Sequence, residues 1–198
     1  MRCLSLALLA TTFAVSLASG LQAADSAGIA ALLAASPAGD KAKAWVVAHG
    51  LSLMTDPVLV AAVVAQNAKK FPLTLIQKID DEWQKAETPM PIMIELQGNA
   101  AAKVLAALAK AQPALTEAFV MDDQGANVAM VAATSDYWQG DEAKWQNSFK
   151  GGAGGVDVGK EKLDKSTNEV QQQISLPILA ADGTVIGAIT LGLAVGKL

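Results

Sequence analysis

The apolar residues of this 198-residue chain change their spacing once, at Gln112-Pro113, and that change limits the architectures open to it. Upstream they recur every three to four residues, the period of a helix with one buried face. Asp56-Pro57 places a capping side chain and a first-turn proline ahead of VLVAAVVAQNAKK. Phe71-Pro72 stops that helix and begins another, in which Leu75, Ile79 and Trp83 share a face. Thr88-Pro89-Met90-Pro91 is a loop. Asn99 then caps AAAKVLAALAKA, which turns Val104, Leu105 and Leu108 inward and ends at Gln112-Pro113. Ile29 to Ala35 and Lys41 to His49 also read as helices, parted by Ser36-Pro37-Ala38-Gly39.

Downstream the pattern alternates. Phe119-Val120-Met121 and Val128 to Val131 flank Asp122-Asp123-Gln124-Gly125, a hairpin turn. Val170, Gln172, Ile174, Leu176 and Ile178 alternate with mostly polar neighbours, Ala181-Asp182-Gly183 turns the chain, and Val185 to Val195 returns. One face of that last strand carries Val185, Ile189, Leu191, Leu193 and Val195. The other carries Ile186, Ala188, Thr190, Gly192 and Ala194, residues small enough for a helix backbone or a ligand to approach closely. Helices followed by two antiparallel hairpins define an α+β domain.

The first residues, MRCLSLALLATTFAVSLASGLQAADS, have the layout of a secretory signal peptide. Arg2 precedes an apolar run from Leu4 to Ala18, and Leu21-Gln22-Ala23 suits cleavage near Ala23. The run is too short for a comfortable membrane span, which takes about 20 residues. The expected organisation is a leader over 1–23 and one periplasmic domain over 24–198, helical over 24–113 and mainly sheet over 114–198. Without the leader there is no arginine and no cysteine, and fourteen lysines face nineteen acids. Net negative charge without a basic cluster argues against nucleic acid or an anionic membrane surface as partner. The most apolar later segment, Val185 to Val195, is too short to span a membrane.

Several chemical motifs fail on inspection. Gly154 to Glu161 fits G-x-x-x-x-G-K but lacks the following Ser or Thr, and it has neither a strand before it nor an apolar helix after it. His49, the only histidine, precedes Gly50 at an expected helix C-terminus, where an imidazole complements the end carbonyls. Asp122 to Asn127 lacks the alternating ligands and distal Glu of a calcium loop. No cofactor and no metal are expected, and neither a nucleophile set nor a metal set points to an enzyme.

TSDYWQGDEAKW, residues 134–145, stands out. Half of the aromatic residues beyond the leader fall between Tyr137 and Phe149. Asp141 is expected to cap a short helix with Glu142 in its first turn. Aromatic walls with a few convergent polar groups are how small-molecule pockets are lined, although Trp145 could simply pack inward.

EAFVMDDQGANVAM, TSDYWQGDEAKW and QQQISLPILAADGTVIGAITLGL together resemble the extracytoplasmic PAS-like sensor domains of the Cache (PDC sensor) superfamily, and more closely its free-standing exported members. AQNAKK and IDDEW extend the resemblance over most of the chain beyond the leader. It implies a long N-terminal helix packed on a roughly five-stranded antiparallel sheet. It also implies a small-ligand pocket between the sheet and the segments joining its central strands, with Tyr137 to Trp145 in the cover.

The function implied is non-catalytic chemosensing. Tyr137, Trp138 and Trp145 would be pocket walls, Asp136 and Lys144 polar anchors, and Asp141 a ligand contact or a helix cap. Trp83 would close the far side or simply pack in the core. With no arginine to clamp a carboxylate, and with acids beside aromatic faces, the balance tilts toward an amine over an amino acid or small organic acid. Receptors of the superfamily continue from their last strand into a membrane helix. This sequence stops at Leu198, so a separate membrane receptor or histidine kinase is the expected signalling partner. A homodimer is left open. The alternative is a structural adaptor or dimerisation module with a filled interior and no ligand.

Overall fold

The computed structural model describes residues 24–164 and 169–198, so the leader expected over 1–23 lies outside it. The helices are α1 (Ser26–Ala35), α2 (Asp40–Trp45), α3 (Pro57–Ala68), α4 (Leu73–Gln84), α5 (Pro91–Gly98), α6 (Ala100–Ala111) and α7 (Ala143–Phe149). The strands are β1 (Leu115–Met121), β2 (Asn127–Met130), β3 (Asp157–Val158), β4 (Lys162–Asp164), β5 (Glu169–Leu179) and β6 (Val185–Ala194). They form one antiparallel sheet in the order β2-β1-β6-β5-β3, with β4 also pairing β5. The chain is α+β, with β1 following α6.

Local chemistry sets the helix starts. Asp56 Oδ1 accepts hydrogen bonds from Val58 N (2.9 Å) and Leu59 N (3.1 Å), satisfying donors that the first turn of α3 leaves free. Asn99 works at both ends of its amide. Its Oδ1 caps α6 at Ala102 N (2.8 Å), and its Nδ2 donates to Val128 O (2.8 Å), tying the α5–α6 corner to β2.

The resemblance implied one long N-terminal helix, and here the chain departs from it. α1 ends before Ser36-Pro37, and α2 runs into a wider π turn at Val46–Gly50 and a 3₁₀ turn at Leu51–Thr55. A Cβ at Gly50 would press on Leu191 and Val46, so the bend brings backbone close to the sheet. On α4 the buried residues are Ile76, Asp80 and Trp83; Ile79 packs beside them partly buried, while Leu75 is exposed. Strands β3 and β4, within what reads as a long connection, are short edge pieces whose pairing depends on β5 and not on a periodic pattern of their own.

The sheet is buried on both sides. Helices α1, α2, α3 and α6 bring Leu33, Trp45, Leu59, Val63 and Leu105 against Val120, Ile174, Leu176, Ile189 and Leu191. On the other side a smaller core joins Phe119, Met121, Met130 and Ala188 to Ile76 and Trp83 of α4, Met93 of α5, and Tyr137. One polar pair is buried within the sheet. Ser175 Oγ and Thr190 Oγ1 lie 2.8 Å apart, both fully buried.

Replacing Asn99 by Ala removes a cap and strips the Val128 carbonyl of a partner. The expected loss is about 2 kcal/mol in urea unfolding, against about 1 kcal/mol for Asp56→Ala, which removes a cap alone.

Candidate functional site

Residues 131–142 leave β2, cross the smaller core and enter α7. A buried carboxylate holds this covering segment. Asp80 Oδ1 accepts hydrogen bonds from Tyr137 N (2.7 Å) and Trp138 N (2.9 Å), and its Oδ2 accepts one from Gln84 Nε2 (2.7 Å). The β1–β2 turn supplies further ties. Trp138 Nε1 donates to Gln124 O (2.8 Å), Gln139 N to Gly125 O (2.8 Å) and Trp145 Nε1 to Asp122 O (3.0 Å). Glycine is required on both sides of that contact. Gly125 has φ +85°, and a Cβ on it would collide with Gly140, while one on Gly140 would collide with the Trp138 indole and the Gln124 carbonyl.

The aromatic side chains expected at the site do come together, and their polar atoms are committed to the protein. Tyr137 and Trp83 are buried with ring centroids 5.7 Å apart, and Trp83 Nε1 donates to Thr134 O (2.9 Å). Gln66 Nε2 donates to the Tyr137 hydroxyl (3.3 Å). Trp138 and Trp145 are half-buried, and Trp145 stacks on Phe149 at 4.9 Å. Asp136 Oδ1 receives the Gln139 amide. Asp141 is exposed, and α7 begins two residues later with Glu142 at its cap and no side-chain capping bond. Asp141 therefore caps nothing, because the turn over Gln139–Glu142 delays the helix.

Lys144 behaves differently. Its Nζ sits 2.9 Å from Glu142 Oε2, donates to Gln139 Oε1 (2.9 Å) and lies 5.4 Å from the centre of the Phe119 ring. It borders a cavity of about 670 Å³ between the sheet and its connecting segments. Glu117 of β1, Gln171 and Gln173 of β5, and Lys160 and Lys162 of the β3–β4 region complete the polar wall. Glu117 Oε2 accepts from Gln173 Nε2 (2.7 Å) and Gln171 Nε2 (3.2 Å). Gly192 of β6 makes room for that arrangement, since a Cβ there would strike the Gln171 amide. What approaches the small-residue face at Gly192 is thus a neighbouring side chain. Glu142 balances Lys144, and two amides solvate Glu117. Lys160 and Lys162 are exposed and have no ion-pair partner among the described residues, so the cavity leans positive.

Asp80, Gln66, Glu117 and the two lysines of the β3–β4 region escaped the sequence reading, and Asp122 reads there only as part of a turn. Asp80 left one usable signal, an acid on the apolar stripe of α4 between Ile76 and Trp83. The cavity residues left none, because β1, β3, β4 and β5 bring them together from distant parts of the chain.

Asp122 is the most perturbed acid of the site. Burial pushes its carboxyl up from 3.8 to about 6, against the opposing pull of hydrogen bonds from Gln124 N and Ala126 N (both 2.9 Å). Burial and the nearby Asp122 charge also raise the Tyr137 hydroxyl above its ordinary value.

Two predictions follow from these ties. Asp80→Ala leaves two backbone donors of the covering segment without an acceptor and should destabilise the fold by about 2–4 kcal/mol in urea unfolding. A loss under about 1 kcal/mol would show that the segment does not depend on Asp80. Because the Asp122 carboxyl is raised in the folded state, its contribution to stability is full below pH 4 and disappears as pH rises through 6. Thermal midpoints of wild type and Asp122→Asn should therefore diverge between pH 4 and 6, with only the wild type losing that contribution on the way up.

No protein-family model matches the chain, and no curated protein matches it. Among solved structures it is similar to the sensor domain of the Vibrio cholerae histidine kinase DctB, at 12% identity and TM-score 0.37 over 70% of this chain and 53% of that one. It is similar to the sensory domain of the Campylobacter jejuni chemoreceptor Tlp3, at 17% identity and TM-score 0.39 over 72% and 58%. The ligand-binding domain of the Pseudomonas aeruginosa amino-acid chemoreceptor PctC, solved with GABA, gives 14% identity and TM-score 0.35 over 70% and 58%. These neighbours are sensor domains of histidine kinases and chemoreceptors. The chain spans little more than half of their length.

Proposed function

We propose that this chain is an exported, non-catalytic sensor domain that binds a small organic acid or amino acid over its sheet. It passes its ligand state to a membrane-bound receptor or histidine kinase. The observation that carries the reading is Lys144, a largely buried cation at the wall of a cavity of about 670 Å³ that also draws on Lys160 and Lys162. A cavity of this size suits a small metabolite, and its positive balance favours a carboxylate over an amine. Trp83, Tyr137, Trp138 and Trp145, the pocket walls expected from sequence, do not line this cavity. They fix the covering segment through Asp80 and the β1–β2 turn, so a ligand that moves Lys144 or Glu142 pulls on an already ordered segment. The acids Asp136, Asp141 and Glu142 are engaged by Gln139, open to solvent and paired with Lys144 respectively, an arrangement that supports binding rather than acid–base catalysis.

The filled aromatic interior favours a second reading, an adaptor without a ligand, since Tyr137 is only 1% exposed. A thermal-shift panel of small carboxylates, amino acids and amines separates the two. Carboxylates or amino acids should stabilise the protein by about 2.7 kcal/mol at a hundredfold excess over Kd. Lys144→Gln should weaken that binding at least tenfold while leaving the fold intact. Stabilisation by amines alone would reverse the ligand class, and stabilisation by nothing would favour the adaptor.

A further inference from the structure

On the helical side of the molecule, α3 is apolar all round from Pro57 to Ala65. Leu59 and Val63 enter the main core, while Val58, 37% exposed, lies on the outer face and Val64, 49% exposed, lies further round the helix. A helix of that kind is normally covered on both faces. Its outer face borders a second cavity of about 550 Å³, bounded on the opposite wall by the α5–α6 corner. Ala61 and Ala65 on one wall and Ala100 on the other leave the trough shallow enough for another backbone to approach. Next to it on α5, Ile94 is 62% exposed.

The trough carries one cation and one anion, on opposite walls. Lys69 ends the α3 wall and donates to Gln66 Oε1 (3.0 Å), and Glu95 stands on the α5 wall. Both are exposed, and neither has an ion-pair partner among the described residues. They lie at the same end of the trough, where Gln66 reaches Tyr137 and the Glu95 charge helps raise that hydroxyl.

We infer that the α3 face and the α5–α6 corner form a two-fold interface with a second copy of this chain. A two-fold axis running along the trough lays α3 of each copy over the α5–α6 wall of the other. Lys69 then stands over the partner's Glu95 and Glu95 over the partner's Lys69, two identical contacts from one pair of residues. The exposed Val58 of each α3 packs on the alanine-lined wall opposite. This assignment is independent of the ligand proposal, since it uses none of the residues of the Lys144 cavity.

The test is a charge reversal read by sedimentation velocity over a hundredfold range of concentration. Wild type should dimerise. K69E and E95K should each weaken the dimer at least tenfold, because each puts like charges opposite one another at both contacts. An equimolar mixture of the two variants should recover the dimer, since in the mixed pair both contacts again join opposite charges. Both side chains are exposed, so matching thermal midpoints will confirm intact folds. Ala65→Arg, which fills the trough, should give a monomer that no mixture rescues. A wild type that is monomeric throughout overturns the assignment, as do variants that dimerise like wild type or a mixture no better than its components. A wild-type monomer carrying a bound apolar molecule in native mass spectrometry would give the trough to a small ligand instead.

Discussion

Burial of the β1–β6–β5 sheet on both faces is the constraint on which the rest of this structure depends. An antiparallel sheet with one face in water needs only one set of covering helices. Here the second face carries Phe119, Met121 and Ala188, and the chain covers it with α4, α5 and the segment from Thr134 to Trp145. Irregular backbone placed over a core must find partners for its own amides. Asp80, the β1–β2 turn and Asn127, whose N donates to Tyr137 O (3.0 Å), provide them.

The polar groups of the covering segment are therefore divided between two duties. The aromatic indoles and the Tyr137 hydroxyl hold the segment in place, each through a named hydrogen bond. Lys144 and Glu142, slightly further on, are left at the wall of the cavity. Ordering the aromatic part makes the charged part precise, because a side chain can be aimed only from backbone that is itself fixed. Asp122 sits at the junction, ionising with difficulty because it is buried, while its main chain carries the Trp145 indole.

The expectations from sequence succeeded where the cause is local. The Asp56-Pro57 start, the Asn99 cap and the turns at Asp122 to Gly125 and Ala181 to Gly183 depend on neighbours within a few residues, and each stands where it was expected. They went astray where a distant contact decides. On α4 Ile79 and Trp83 of the expected face do meet the smaller core, but Asp80, which binds Tyr137 N and Trp138 N, joins them there and Leu75 lies outside. Asp141 loses its expected cap to the turn that Gln139 and Glu142 close. β3 and β4 are strands only because the long β5 offers them an edge.

By itself, the sequence determined the α+β order, the position of the switch from helices to hairpins, and the gathering of aromatics in one connecting segment. Periodicity, capping and turn chemistry act over three to four residues and can be read along the chain. Only the tertiary structure decided that those aromatics lie outside the cavity with their polar atoms already spent, and that Lys144 meets Glu117, Lys160 and Lys162 around it. The reason is physical: burial and charge balance are properties of surfaces assembled from β1, α7, β4 and β5, and no stretch of sequence carries such a surface alone.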